Sequence, residues 1–287
     1  MTKTAQDTGP TGWTTVTKEQ RISTDFGELV VRTGGNEAGP VMVFWPSLLL
    51  DSSMWSYQFE HYAPTYRIVL IDPPGIGRSA PLRRVISVSD SVRCLRRIVN
   101  ALGINASIVI GNSWGSLTAA AFAATDPERV RALVITNGTA APPTAKMIEQ
   151  MTDLVHRLEQ STTAPDWLLG ATQQAFSSSV ERPDFLAYLG RVLSEDPISI
   201  AFAMKGILLG REDLHSTMRM IHGVPALVVA GEQDRVFDIN QSQSLAASIA
   251  GSDFVLLPET GHLAPRENPA AVNAAIDVFL ASRVAPG

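Results

Sequence analysis

Cysteine is almost missing: Cys94 stands alone in 287 residues. No disulfide can close within the chain. Cys94 falls in a helical pattern, where a small core side chain is the better reading than a reactive thiol. No C-x-x-C or H-E-x-x-H spacing occurs, so no metal and no cofactor is implied. No uninterrupted apolar run approaches a membrane span. Residues 1–15 are polar and lack the apolar stretch of a signal peptide. The expectation is a soluble, cytoplasmic protein with no membrane partner. Positive charge is scarce too. Lys and Arg number 23 against 28 Asp and Glu, a net charge of −5, which argues against nucleic acid as a partner. Arg83, Arg84, Arg93, Arg96 and Arg97 read as a solvated helix face. A homo-oligomer is compatible with the sequence.

What is present is an ordinary globular composition, 45% hydrophobic and 18% charged, long enough for a large core. Thr14–Ser23 and Glu28–Arg32 alternate around an Asp25-Phe26-Gly27 turn and read as a hairpin. Val41–Trp45 and Arg67–Ile71 are apolar on both faces, as central parallel strands are. Ser53–Tyr62 and Ser89–Leu102 read as helices, and Arg131–Thr136 as a further strand. From Asn137 to about Met220 the strand rhythm stops. Met147–Leu158, Trp167–Ser177, Pro183–Leu193 and Ile198–Leu208 are helix candidates punctuated by prolines. Strand and helix then resume: Pro225–Ala230, Gln241–Ile249, Phe254–Leu257 and Pro269–Ala281. The spacings suit right-handed crossovers in a parallel sheet, interrupted once by helices.

The chain turns on Ile108-Val109-Ile110-Gly111-Asn112-Ser113-Trp114-Gly115-Ser116. A β-branched run ends abruptly in G-x-S-x-G and an Ala-rich helical pattern follows. Such a turn lifts a strained serine above a sheet edge, at a helix N-terminus whose free N–H groups favour negative charge. Gly111 and Gly115 let helix and strand pass closely. Ser113 is therefore the candidate nucleophile. A serine needs a base, and the base needs a carboxylate to hold its tautomer. Of five histidines, His61, His156, His215 and His222 fall in helical or capping segments, whereas His262 follows the last strand beside Gly261. That edge is also the one bearing Ser113. Asp234 lies in the loop after the preceding strand. It is preferred over Glu232 and Asp238 because Gly231 lets the chain turn there.

The order Ser113, Asp234, His262 resembles the α/β-hydrolase-fold family. Asp72-Pro73-Pro74-Gly75-Ile76-Gly77-Arg78-Ser79 resembles its D-x-P-G-x-G-x-S loop. Gly231 to Val236 resembles its G-x-x-D-x-V acid loop, and Gly261-His262 with Glu267 and Pro269 its histidine loop. The resemblance implies an α/β fold with a mostly parallel eight-stranded sheet, helices on both faces, and a helical cap inserted after the sixth strand. Residues 1–137 and 221–287 then form the core domain and residues 138–220 the cap.

Many family members carry His-Gly after the third strand. Here Trp45-Pro46-Ser47-Leu48-Leu49-Leu50-Asp51, with Met54-Trp55 downstream, resembles the S-N-S-L…D-M-W stretch of 3-oxoadipate enol-lactonases. That resemblance implies the backbone N–H of Leu48 and of Trp114 as oxyanion donors. Trp45, Ser47, Trp114, Asn137, Trp167 and Leu263 are the expected substrate contacts. The reading is a carboxylic ester hydrolase acting on a hydrophobic lactone, with an aromatic or macrocyclic lactone such as zearalenone within reach of an apolar cap. Asn112 before Ser113 resembles the elbow of C–C bond hydrolases of vinylogous diketones, and Ser-Trp-Gly-Ser that of prolyl iminopeptidases. A slow-turnover ligand receptor is the alternative outside enzymes.

Overall fold

The computed structural model describes residues 17–163, 165–176, 183–192 and 196–284. The start of the expected first strand at Thr14, and the expected helix ends at Ser177 and Leu193, lie outside these residues. The strands are β1 (Lys18–Thr24), β2 (Gly27–Gly35), β3 (Val41–Trp45), β4 (Arg67–Ile71), β5 (Ser107–Asn112), β6 (Val130–Thr136), β7 (Ala226–Gly231) and β8 (Asp253–Leu257). They form one eight-stranded sheet in the order β1-β2-β4-β3-β5-β6-β7-β8. β1 pairs antiparallel with β2, and β2 with β4; every later pairing is parallel. The carboxyl ends of β3, β5, β6, β7 and β8 therefore open on one edge.

The helices follow from local signals. α1 (Ser56–Tyr62) is preceded by a 3₁₀ turn, Ser52–Trp55, whose cap is Asp51. α2 (Val88–Ala101) starts in a reciprocal capping box between Ser87 and Asp90, which satisfies two otherwise orphaned donors. α3 (Trp114–Thr125) is buried from Trp114 to Ala124. A helix apolar on all sides belongs in the core, and its alanines let it lie close to the sheet.

Between β6 and β7 come α4 (Ala145–Glu159), α5 (Asp166–Phe176), α6 (Pro183–Val192), α7 (Pro197–Met204) and α8 (His215–Arg219). α7 begins on the Asp196 cap with Pro197 in its first turn, where the missing N–H costs nothing. It runs on into a π-helical turn, Lys205–Leu209, so the apolar pattern read as one helix to Leu208 changes hydrogen-bond register part-way. The core closes with α9 (Ile239–Ser248), a short α10 (Ala264–Glu267) and α11 (Pro269–Arg283). α8 and α10 are too short to give a periodic signal in the sequence. Among the described residues no helix is long and apolar enough to cross a membrane.

Candidate active site

Ser113 sits at the cap position of α3 with φ 53° and ψ −109°. A non-glycine residue there stores about 1–3 kcal/mol and persists only where its surroundings hold it. They do so closely. A Cβ on Gly111 would meet the Gly115 carbonyl oxygen at 2.0 Å, and one on Gly115 would meet the Trp45 oxygen at 1.9 Å. The Ser113 N–H donates to the Thr136 carbonyl at 3.1 Å, and the Gly115 N–H to the Pro46 carbonyl at 3.2 Å. The elbow is thus sewn to β6 on one side and to the loop after β3 on the other.

That loop runs through Ser47, Leu48, Leu49 and Leu50, all buried. Leu49 has φ 73°, a left-handed conformation that glycine adopts without a Cβ penalty. The N–H groups of Leu48 and Trp114 meet no acceptor among the described residues. Unengaged backbone donors are the kind of group that can receive an oxyanion. The loop is braced from below by the Asp72 carboxylate, which accepts from Arg32 and from the Ser52 N–H at 3.0 Å each. The Arg78 N–H adds 3.1 Å to its other oxygen. The D-x-P-G-x-G-x-S segment is in this way a structural brace.

His262 is 1% exposed. Its Nδ1 lies 3.0 and 2.9 Å from the two carboxylate oxygens of Asp234. Its Nε2 is buried with no hydrogen-bond partner among the described residues. Asp234 also accepts from the N–H groups of Val236 at 2.8 Å and Phe237 at 3.0 Å. Burial acts to raise its carboxyl, but the neighbouring imidazole, the Phe237 N–H and the Asn137 amide outweigh it and hold the group below the usual carboxylate range. The other carboxylates considered are engaged elsewhere. Asp238 caps α9 by accepting from Gln241, and Glu232 accepts from the Glu259 N–H at an exposed position. His61 bonds Asp277, His156 bonds Gln160, and His215 bonds Asp213 and Ser244, all at exposed sites.

Two aromatic rings flank His262. Phe176 lies tilted against it at 5.1 Å and Phe237 edge-on at 5.3 Å. The Phe176 carbonyl accepts the His262 backbone N–H at 3.2 Å, so the end of α5 touches the histidine loop directly. Phe176 belongs to the apolar cap residues of the sequence and Phe237 does not stand out in it; only the fold brings both to 262.

The expected substrate contacts sort differently. Trp45 Nε1 and Ser47 Oγ are buried without a hydrogen-bond partner among the described residues. One lies at the end of β3 and the other in the loop that follows it. The Trp114 indole turns the other way: its Nε1 donates to Ser91 Oγ at 2.9 Å and its ring meets Trp45 edge-on. It packs α3 on α2, leaving only its backbone N–H for the site. Asn137 is 0% exposed and its amide is taken up by protein atoms, so the structure makes it a bridge rather than a surface of the pocket. Trp167 stacks under Arg157, 4.1 Å from the guanidinium carbon to the ring centroid. Leu263, next to His262 in the chain, is fully buried. Among the described residues no cluster of three or more His, Cys, Asp or Glu is placed to hold a metal ion.

A family model described as alpha/beta hydrolase fold matches residues 40–269. The 3-oxoadipate enol-lactonase 2 of Acinetobacter baylyi is 26% identical over 249 residues, covering 86% of this chain and 91% of that protein. A 2-hydroxy-6-oxononadienedioate/2-hydroxy-6-oxononatrienedioate hydrolase of Pseudomonas putida is 29% identical, over 76% of this chain and 78% of that one. The thermophilic esterase of Thermogutta terrifontis superposes with a TM-score of 0.82 at 24% identity, covering 92% of this chain and 98% of that one.

Proposed function

Because the chain belongs to the alpha/beta hydrolase fold family, we propose that it is a serine hydrolase of carboxylic esters whose preferred substrate is a hydrophobic lactone. The observation that carries this reading is the buried His262 ring, fixed at Nδ1 by Asp234 with Nε2 unengaged, joined to an elbow that holds Ser113 at φ 53°. In this mechanism Nε2 takes the Ser113 proton as the serine attacks the carbonyl carbon. The tetrahedral oxyanion is held by the N–H groups of Leu48 and Trp114. Collapse breaks the ester C–O bond, and the imidazolium returns its proton to the alkoxide. For a lactone the freed hydroxyl stays tethered to the acyl-enzyme. Water deprotonated by Nε2 then releases the hydroxy acid, while Asp234 keeps the imidazole in the required tautomer.

The lactone preference draws support from the Pro46-Ser47-Leu48 loop and from the similarity to the enol-lactonase of A. baylyi. Cleavage of a C–C bond in a vinylogous diketone is the second reading, favoured by Asn112 in the elbow and by the similarity to the P. putida hydrolase. The test is a panel of aryl esters, small lactones, the macrocyclic lactone zearalenone and a dienoate-forming diketone, with product masses. Multiple turnover of lactones and esters, reduced on the order of 10³-fold or more in Ser113→Ala, is expected. Turnover of the diketone alone would replace this reading with the second, and a stoichiometric burst without turnover would point to a receptor.

A further inference from the structure

Asn137 directly follows β6 and lies in the left-handed region, with φ 50°. Asparagine tolerates that conformation better than most residues. Its backbone N–H continues the ladder by donating to the Val229 carbonyl at 2.8 Å, which fixes where the side chain starts. From there the amide reaches two catalytic loops. Nδ2 donates to Asp234 Oδ2 at 3.0 Å and to the Gly261 carbonyl at 3.0 Å. Oδ1 accepts from the Ala264 N–H at 3.3 Å and from Asn112 Nδ2 at 3.3 Å. Asn112 Nδ2 in turn lies 3.3 Å from the His262 carbonyl.

An amide has two donor hydrogens and an oxygen with two lone pairs; Asn137 uses both hydrogens and accepts from Ala264, while the two hydrogens of Asn112 Nδ2 have nearer acceptors on Thr136, at 2.9 and 3.2 Å. Its targets are selective. Gly261 and Ala264 flank the His262-Leu263 pair, so the amide holds the backbone on both sides of the base. The imidazole contacts both oxygens of Asp234; Oδ1 has two backbone donors besides, and Oδ2 has the Asn137 amide. At Oδ2 the Asn137 amide joins the imidazole in opposing rotation of the carboxylate.

We propose that Asn137 is the positioning residue of the acid–base pair: one amide that brackets His262 along the backbone and locks the Asp234 carboxylate against its ring. The inference rests on the hydrolase reading for its catalytic consequence, but the geometry can be probed without turnover. Asp234 is the charged group in contact with the ring, and Arg211 stands behind Phe237, 5.4 Å from that ring's centroid.

The experiment follows the His262 ring by NMR against pH in the wild type, Asn137→Asp and Asn137→Gly, alongside ester hydrolysis and thermal melts. Asn137→Asp keeps both acceptor contacts and sets a second carboxylate against Asp234. The His262 titration should move upward by roughly one pH unit. The acid limb of kcat/KM should move with it, and kcat should fall on the order of 10- to 100-fold with KM within about threefold. Asn137→Gly tolerates the backbone conformation and serves if the aspartate variant does not fold. It leaves Oδ2 to the imidazole, so the shift has the same sign and is smaller. Folded variants that melt lower but titrate like wild type would make Asn137 an ordinary buried amide and overturn the proposal. A wild type inert towards every ester would sink the hydrolase reading, and the NMR titration would still decide this one.

Discussion

Two carboxylates, that of Asp234 with its side chain buried and that of the half-buried residue Asp51, are driven apart by their neighbours. Asp234 follows β7 and is held below its ordinary range despite burial, by the imidazole, the Phe237 N–H and the Asn137 amide. Asp51 ends the loop that carries Leu48. It is raised to about 6, by burial first and by the charge of Asp72 second. The hydroxyl and N–H of Ser53 oppose this, as does Arg32, yet Arg32 is already engaged by Asp72 at 3.0 Å and Glu19 at 3.2 Å. The pair teaches that loss of water does not set the charge state of a buried acid. The donors and charges that replace the water do. Asp234 has donors aimed at each oxygen, while Asp51 shares a cation with another acid.

The largest test of that contrast is to remove each charge in turn. Asp234→Asn should reduce turnover on the order of 10³–10⁴-fold, since the amide no longer fixes the imidazole tautomer or balances its cation. Asp51→Asn keeps an acceptor for the Ser53 N–H, and asparagine is as good a cap, so turnover should stay within about tenfold of wild type. Steady-state kinetics on a shared ester checks both. Comparable losses would mean that Asp51 takes part in the chemistry and would break the contrast.

The contrast also shows which parts of the molecule a sequence can reveal. Ser113, Asp234 and His262 stand out because the proposed nucleophile, acid and base each follow a strand in a glycine-assisted turn, and those turns leave local patterns. The strands are legible for the same reason: Arg67–Ile71 is a run of residues apolar on both faces, bounded by turn residues. The direction in which a side chain leaves such a turn is not local. Trp114 sits beside the nucleophile in the chain, yet its indole is drawn off by Ser91. Asn137 stands out as the point where the strand rhythm stops, but its four contacts come from residues 112, 234, 261 and 264. Asp51 is one residue of the loop after the third strand in the sequence, whereas its raised carboxyl depends on its burial and on Asp72 across the next strand. Phe176 is legible as one of several cap aromatics, but only the fold singles it out against His262, and Phe237 stays hidden until then.

A smaller effect separates the two acids by stability. The folded state holds Asp51 protonated up to about pH 6, whereas the unfolded chain releases that proton near ~4. Between these values the native state binds more protons than the unfolded one, so stability falls as pH rises. The loss is complete above the folded value and amounts to roughly 3 kcal/mol at most. Asp234 has the opposite sign: its lowered carboxyl contributes stability above the unfolded value and loses it as pH falls through the folded one. Melts from pH 4 to 8 should therefore show Asp51→Asn gaining on wild type as pH rises, with the gain developing between pH 4 and 6. Parallel curves would show that Asp51 is ionised throughout.

The smallest effect sharpens the Asp51 side alone. Ser53 donates to Asp51 Oδ1 through both its hydroxyl, at 2.5 Å, and its N–H, at 2.9 Å, and its hydroxyl also lies 3.3 Å from Tyr188 OH on α6. Ser53→Ala removes the hydroxyl and keeps the N–H. One fewer donor favours the neutral acid, so the stability step assigned to Asp51 should move to higher pH. The cost at neutral pH should be about 1 kcal/mol, the usual net value of one hydrogen bond. Combined with Asp51→Asn the shift should vanish, because no titrating group remains for the hydroxyl to act on, while the loss of the Tyr188 contact persists in both backgrounds. A double-mutant cycle on the melting curves separates the two. A shift that survives without Asp51 would show that the step does not belong to Asp51.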